Sequence, residues 1–453
     1  MTRVSSMKFP PSSRSHIESL DAGLTSVNGA LEIIAEMRSR QLVTKLILGH
    51  NELGDEGCEV LFGFLDSEEG RRYPIAEISL NSNGIGDRGL EAITQYLTGN
   101  STLKELFLQN NSFTGNAEGF VAFAQAINSS HLETLSLTTN PKLSDSFIEQ
   151  FLPRLDSSHL REMQLSVIGV TQASAPHFAE YISSSRCRLS SLKVNGNRLG
   201  VRGARMIIRA LQRHNFTLTK LEMYANGLAD ADASSETTAS DDDIAVRAGL
   251  SIWHEAQKEL DRLLLRNLHL KRTTEREALV LLKYARTVLL RPKSDGSSTS
   301  LALVPSSMDS LFSSILSSSV DHAPTFPFTR LPTELQLHVL SFLAPTLSTA
   351  QRIRIYTYAA SPATLPPLLP SLSSRVLPNP SMMPFGGVGM GVGMMLRKRT
   401  NASVSGKAAG DRDIVNFGWR RDEERSRWLA FVRCNAFELE EDGSEGDGLS
   451  PRM

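Results

Sequence analysis

One spacing recurs along the first half of the chain and leaves few folds open to it. In LKELFLQNNSF, Leu103, Leu106 and Leu108 are followed by Asn111 and Phe113, an order that fits neither a helical period nor plain strand alternation. The same frame holds Val43-Leu46-Leu48-Asn51-Leu53 and Ile75-Ile78-Leu80-Asn83-Ile85 before it. After it come Leu132-Leu135-Leu137-Asn140, Leu160-Met163-Leu165-Ile168, Leu189-Leu192-Val194-Asn197-Leu199 and Leu218-Leu221-Met223-Asn226-Leu228. The marker position advances by 32, 28, 29, 28, 29 and 29 residues. So constant a period means one small unit repeated, each copy burying its apolar face against the next.

Within a unit, the LxxLxL piece reads as a short strand whose leucines face the core. The Asn amide can then serve backbone groups where the chain leaves the strand. A helical pattern follows, as in GDRGLEAITQYLTGN, where Leu90, Ile93 and Leu97 lie three and four residues apart. These residues resemble the leucine-rich repeat, and the step of 28–29 residues is similar to its ribonuclease-inhibitor-like subclass. The resemblance implies an α/β solenoid, a horseshoe with parallel strands on its concave face and helices on its convex face.

The repeats are expected over 42–291, about eight in number. SEEGRRYP lengthens the first step on its helix-to-strand side, and Ile168 replaces the marker Asn, costing that turn a buried polar bond. Leu260-Leu263-Leu265-Leu268-Leu270 keeps the register of an eighth strand, with TEREALVLLKYARTVLL as its helix. The alternative is a linker and a separate helical hairpin. The surplus length matches an acidic insertion at 230–243, DADASSETTASDDD, with Ser240 placed as acidophilic kinases accept it or the whole loop merely solvated. Upstream, a disordered N-terminus (1–16) precedes a helical cap or partial repeat at 17–41, with Ile17, Leu20, Leu24, Val27, Leu31, Ile34 and Met37 at helical spacing.

Composition narrows the partners. Lys and Arg number 48 against 49 Asp and Glu, so bulk charge offers no attraction to nucleic acid or an anionic membrane. Three distant cysteines, Cys58, Cys187 and Cys434, form no ligand spacing and fit a reducing compartment. MTRVSSMKFPPSSRSH lacks a signal-peptide core and no run is long enough to span a membrane, so the expected location is cytoplasmic. LRKR at 396–399 is a candidate nuclear-import cluster, read more simply as solvated charge.

After a Ser-rich linker (292–325) comes FTRLPTELQLHVLSFLAP. Leu331-Pro332, Glu334-Leu335 and then Leu340, Phe342 and Leu343 resemble the first helix of an F-box. The resemblance implies docking onto the adaptor subunit of a cullin-type ubiquitin ligase, with Leu331, Pro332, Leu335, Leu340 and Leu343 facing the adaptor and the repeats holding a substrate. The match fades after 345: TLSTAQRIRIYTYAAS lacks the basic-tryptophan ending of the family, and here the box follows the repeats instead of preceding them. The competing reading is a leucine-rich helix capping the solenoid in a non-enzymatic scaffold. The F-box-like segment is assigned 326–360, a Pro/Gly-rich disordered linker 361–411, an amphipathic helix 412–440 and an acidic tail 441–453.

Ten histidines show no metal spacing, and there is no P-loop or nucleophile elbow, so neither an enzyme nor a cofactor is expected. Some horseshoes of this subclass resemble the activator of the small nuclear-transport GTPase. That role would need an arginine from the enlarged first loop, Arg71 or Arg72, but the long acidic tail of that activator is missing. The stronger expectation is a protein ligand on the concave strand ladder. There Glu77, Glu105, Phe107, Gln109, Lys193, Glu222, Tyr224 and Arg266 are the candidate contacts, with Phe107 and Tyr224 as aromatic anchors.

Overall fold

The computed structural model describes residues 15–114, 117–227, 242–290, 328, 331–364 and 424–440. The chain divides into two compact units, Met1–Arg272 and Thr273–Met453.

In the first unit strands alternate with helices. The strands are β1 (His16–Glu18), β2 (Lys45–Ile47), β3 (Glu77–Ser79), β4 (Glu105–Phe107), β5 (Thr134–Ser136), β6 (Glu162–Gln164), β7 (Ser191–Lys193) and β8 (Lys220–Glu222). Between them run α1 (Ser26–Arg38), α2 (Gly54–Asp66), α3 (Asp87–Leu97), α4 (Ala117–Ser129), α5 (Ser144–Phe151), α6 (Ala175–Ser183) and α7 (Gly200–His214). All eight strands pair in parallel in sequence order, each with its neighbour's equivalent residue: Leu46 lies opposite Ile78, which lies opposite Leu106. The strand leucines are fully buried, and a phenylalanine layer fills the space under the helices, with Phe120 and Phe147 edge to face at 4.7 Å. This is a solenoid with strands on the concave face and helices on the convex face.

The turn after each strand explains the marker. The residue just before it is left-handed in every repeat: Asp21, His50, Ser82, Asn110, Thr139, Val167, Gly196 and Ala225 have φ between 50° and 67°. For a non-glycine residue this costs roughly 1–2 kcal/mol, and the Asn amide offsets it. Asn140 is typical: its Oδ1 accepts from the Asn111 N–H at 2.8 Å, while its Nδ2 donates to Leu137 O at 2.8 Å and Leu108 O at 3.0 Å. The marker therefore ties its own turn to the preceding repeat. Ile168 is fully buried and packs without such bonds, beside Val167, a β-branched residue held at φ 55°.

Two expectations change. The 17–41 stretch is not helical throughout: Ile17 sits in β1 opposite Leu46, making a first repeat, and the helix begins only at Ser26. The 260–270 stretch is not an eighth strand but part of α8 (Asp242–Leu289), a single 48-residue helix. Its side chains at Leu260, Leu263 and Asn267 are buried at helical steps, and Leu260 and Leu263 join the solenoid core. Leu265, which a strand would bury, is 65% exposed.

Equivalent turns also stack side chains across repeats. His131 and His159 lie ring on ring at 4.1 Å. Burial, then the neighbouring His131, Lys104 and Arg161, holds His159 below its ordinary 6.5, with Glu133 opposing. The unfolded chain therefore takes up this proton first as pH falls, so stability drops as pH falls through the ordinary histidine range and levels off below the lowered folded value. Melting temperature should rise with pH through that range in the wild type and change less for His159→Gln. Equal slopes would show that the stack does not govern acid sensitivity.

The second unit holds the end of α8, α9 (Thr333–Ser341), α10 (Thr349–Ala360) and a short helix over 424–431. Its core joins Ala278 and Leu281 to Leu340, Leu347, Ile355, Leu429, Val432 and Cys434. Polar anchors fix it: Gln351 Nε2 donates to Arg433 O at 2.8 Å and Ala436 O at 3.0 Å, and Glu277 accepts from Thr346 N–H at 2.9 Å. The expected helix over 412–440 is shorter where it is described, since helix stops at 431 and Cys434 is buried beyond it. The N-terminal 1–14, most of the acidic insertion, the Ser-rich linker, LRKR, nearly all of 361–411 and the acidic tail lie outside the described residues. No helix among the described residues is long and apolar enough to cross a membrane.

Candidate protein-binding sites

Strand alternation sends every second side chain of β1–β8 outward, so in-register pairing turns them into rows across the concave face. One row reads Glu18, Ile47, Ser79, Phe107, Ser136, Gln164, Lys193 and Glu222. A row on the same face runs through Lys45, Glu77, Glu105, Thr134, Glu162, Ser191 and Lys220.

The middle of the face is wired together. Gln109 Nε2 donates to Ser136 Oγ at 3.0 Å, which approaches Gln164 Oε1 at 3.4 Å; Gln164 Nε2 donates to Glu162 at 2.8 Å, and Glu162 pairs with Lys193 at 2.9 Å. Burial raises the Glu162 carboxyl, but the hydrogen bonds from Lys193 and Gln164 outweigh it and the net shift is downward. Further along, Lys220 and Asn195 hold Glu222 at 2.8 and 2.9 Å, and these bonds lower its pKa. Side chains held this way lose little freedom when a partner arrives.

Two places stand apart from this network. On β3 and β4, Glu77 lies beside Glu105 and pairs with Lys45, whereas the Glu105 side chain has no hydrogen-bond or ion-pair partner among the described residues. Burial and then the Glu77 charge push Glu105 above the ordinary carboxylate range. Phe107, half-buried, follows it on the same strand. On the β8 side, Tyr224 is 60% exposed. The fold thus brings Glu77, Glu105, Phe107 and Gln109 together and places Lys193, Glu222 and Tyr224 in a second group three strands away, about 14 Å.

Arg266 belongs to neither group, contrary to expectation. It lies on α8, where its guanidinium donates to Gln212 O at 2.9 Å, Asn215 O at 2.9 Å and Leu211 O at 3.2 Å and covers the Phe216 ring at 4.5 Å. It serves the carbonyls at the end of α7 because its segment is helical. Conversely, His16, Glu18 and the half-exposed Leu20 of the first repeat share the strand face and were not anticipated. Their signal was Ile17, one repeat step of 29 residues before Leu46. Arg71 and Arg72 pair with Asp66 at 2.9 Å and Glu68 at 3.2 Å inside their own loop.

The second unit carries a different surface. Leu335, Val339, Phe342 and Leu343 are 49, 44, 70 and 43% exposed and follow helical steps along α9 and its C-terminal end. Pro332 is exposed at the N-cap, and Leu331 is half-buried. Leu340 departs from expectation: at 6% exposure it belongs to the unit's own core, on the opposite side of the helix.

The sequence model described as Leucine Rich repeat matches residues 41–62 and 76–93, the segments containing β2 with the start of α2 and β3 with the start of α3. The chain is a leucine-rich repeat protein. Repeats of this kind imply a protein-binding role. No curated protein matches the chain.

Proposed function

We propose that this leucine-rich repeat protein is a binding subunit with two sites, holding a protein ligand on its concave strand face and docking through α9 onto the adaptor of a cullin-type ubiquitin ligase. The observation that carries the adaptor reading is the apolar face of Leu335, Val339, Phe342 and Leu343, left exposed while Leu340 on the other side fills the core. A helix that merely capped a neighbour would bury this face; single exposed leucines are commonplace, but four apolar side chains at helical spacing along one helix and its C-terminal end form a docking stripe. The concave reading rests on the wired polar ladder and the unpartnered Glu105 beside Phe107, a rigid surface with one uncompensated charge and one aromatic anchor. The ribonuclease-inhibitor-like subclass remains supported by the repeat step of 28–29 residues.

Co-purification of the full chain with the purified adaptor subunit tests the proposal. The wild type should form a stable complex. Leu335→Asp with Phe342→Asp should lose at least 100-fold in affinity with an unchanged melting temperature, because both positions are exposed. Phe107→Ala should bind the adaptor normally, since it alters only the concave face. No complex with the wild type, or a complex indifferent to the double substitution, would end the adaptor reading and leave the concave face as the site of function.

A further inference from the structure

The helix α7 carries a charge pattern that neither proposed site uses. Its fifteen residues, GVRGARMIIRALQRH, contain Arg202, Arg205, Arg209 and Arg213 and no acid. Gly203, Ala204, Ile207, Ile208, Ala210 and Leu211 are buried against the solenoid, which turns all four arginines outward as exposed residues. Arg205, Arg209 and Arg213 are four residues apart, so their side chains rise from one face about 6 Å apart over about 12 Å of helix. Like charges at this spacing repel one another and destabilise a helix. Arg213, in the last turn, is favoured by the helix dipole, but Arg205 and Arg209 sit mid-helix without that compensation.

The surroundings leave the stripe unneutralised. Among the described residues, no ion pair reaches Arg205, Arg209 or Arg213. Glu259 of α8 meets α7 at Gln212, which engages it at 3.4 Å, and its other partner is Arg262 at 3.8 Å. Beside the arginines runs a groove of about 500 Å³ between α6 and α7. Its floor is Ala179, Ser183 and Ala210 with Met206, 42% exposed, and no acid lines it. The corresponding groove between α2 and α3 is different: it contains Glu59, Asp66 and Glu91, and its Arg88 is closed onto Glu59 at 2.7 Å. Uncompensated charge is therefore a property of the α6–α7 groove and not of convex grooves in general.

We infer that the α6–α7 groove on the convex face binds an acidic protein segment, whose carboxylates meet Arg205, Arg209 and Arg213 while an apolar residue seats on Met206 and the small floor. The spacing fits an acidic helix, where carboxylates four residues apart repeat at the same 6 Å. The floor favours protein over nucleic acid. A single strand would need a series of aromatic platforms for successive bases, and the one ring lining the groove is that of His214; a duplex would need a far broader basic field than this chain, with net charge −1, presents. Arginine suits carboxylates through its planar fork.

The test is fluorescence anisotropy of the full-length chain with a labelled sixteen-residue helical probe at near-physiological salt. The probe carries Glu at every fourth position and Leu along the adjacent stripe; a second probe replaces each Glu by Gln, and a third is a thymidine oligonucleotide of similar length. The acidic probe should bind the wild type, lose at least tenfold in affinity with the Gln probe, and lose at least thirtyfold with Arg205→Glu, Arg209→Glu and Arg213→Glu combined. The corresponding triple Gln substitution should also weaken binding while leaving the melting temperature unchanged or slightly higher, since it relieves helix repulsion. Failure of the acidic probe to bind, equal binding by the triple variants, or tighter binding of the oligonucleotide would each overturn the assignment. Because the groove lies on the convex face, Phe107→Ala should leave this binding intact whatever becomes of the concave ligand.

Discussion

Asn140→Ala should lower the melting temperature of the solenoid by about 10 °C. The side chain is 1% exposed and makes four bonds: from the Asn111 N–H at 2.8 Å, and to Leu137 O at 2.8 Å, Leu108 O at 3.0 Å and Thr138 O at 3.3 Å. Alanine would take the side-chain partner from the Asn111 N–H, Leu137 O and Leu108 O, while Thr138 O keeps the Asn110 N–H at 3.0 Å, in a turn where Thr139 is already left-handed at φ 60°. A buried group left unsatisfied costs roughly 1–3 kcal/mol, and the losses overlap where water can enter, so about 3–4 kcal/mol in total is reasonable. For a body of 150–250 residues, 1 kcal/mol corresponds to roughly 2–4 °C. Thermal unfolding followed by circular dichroism reads the shift. Ile168→Asn is the informative companion: it can restore a ladder bond but removes a fully buried apolar side chain, so its effect should stay within about 1 kcal/mol of zero. If Asn140→Ala is as mild as Ile168→Asn, the marker is a relic of spacing and does not hold the turns.

A second large effect belongs at the other end of the repeats. Arg266→Ala combined with Asn267→Ala should destabilise the first unit by about 3 kcal/mol while leaving concave-face binding unchanged. Asn267 is fully buried and donates to Leu218 O at 2.7 Å and Asn215 O at 3.2 Å; together with the three bonds from Arg266 it satisfies the carbonyls that lead into β8. Removing both exposes these groups at the solenoid's end, where no further repeat supplies donors. Amide hydrogen exchange should quicken first in 215–222 and only later in β2–β4. An unchanged melting temperature with lost ligand binding would return Arg266 to the binding face.

Much of this architecture is visible without coordinates. The marker series identifies the turns because an Asn amide is a compact way to serve carbonyls and N–H groups of two successive repeats. The strand leucines and the helix stripes follow from periods of two and three to four. The placement of Glu77, Glu105, Phe107 and Gln109 on the strand face was equally legible, since in-register strands place equivalent positions in rows.

Structure departs from spacing where a local pattern suits two conformations. Leu260, Leu263 and Leu265 satisfy the strand frame, yet Leu260, Leu263, Asn267 and Thr274 also fall at helical steps, and they are the buried ones. A segment rich in Leu, Arg, Lys and Glu has high helix propensity, and that preference prevails when no neighbouring strand imposes extension. At the start of the chain the opposite occurred. Ile17 and Leu20 fit a helical stripe, but β2 offers a strand edge with unpaired backbone groups, and pairing with it draws His16–Glu18 into the sheet.

The repeat, its period, the side of each element that is buried and the rows that face outward are all legible in the chain without coordinates. Those depend on contacts within one repeat or with an equivalent neighbour, and such contacts recur in the chain as spacing. Folding in three dimensions settled what covers the end of the last repeat, that Leu340 is core while Leu335 and Phe342 stay exposed, and that Glu105, Arg205, Arg209 and Arg213 have no ion-pair partner among the described residues. Each of those depends on which distant segment arrives at a surface, and such a meeting leaves no period in the chain to read.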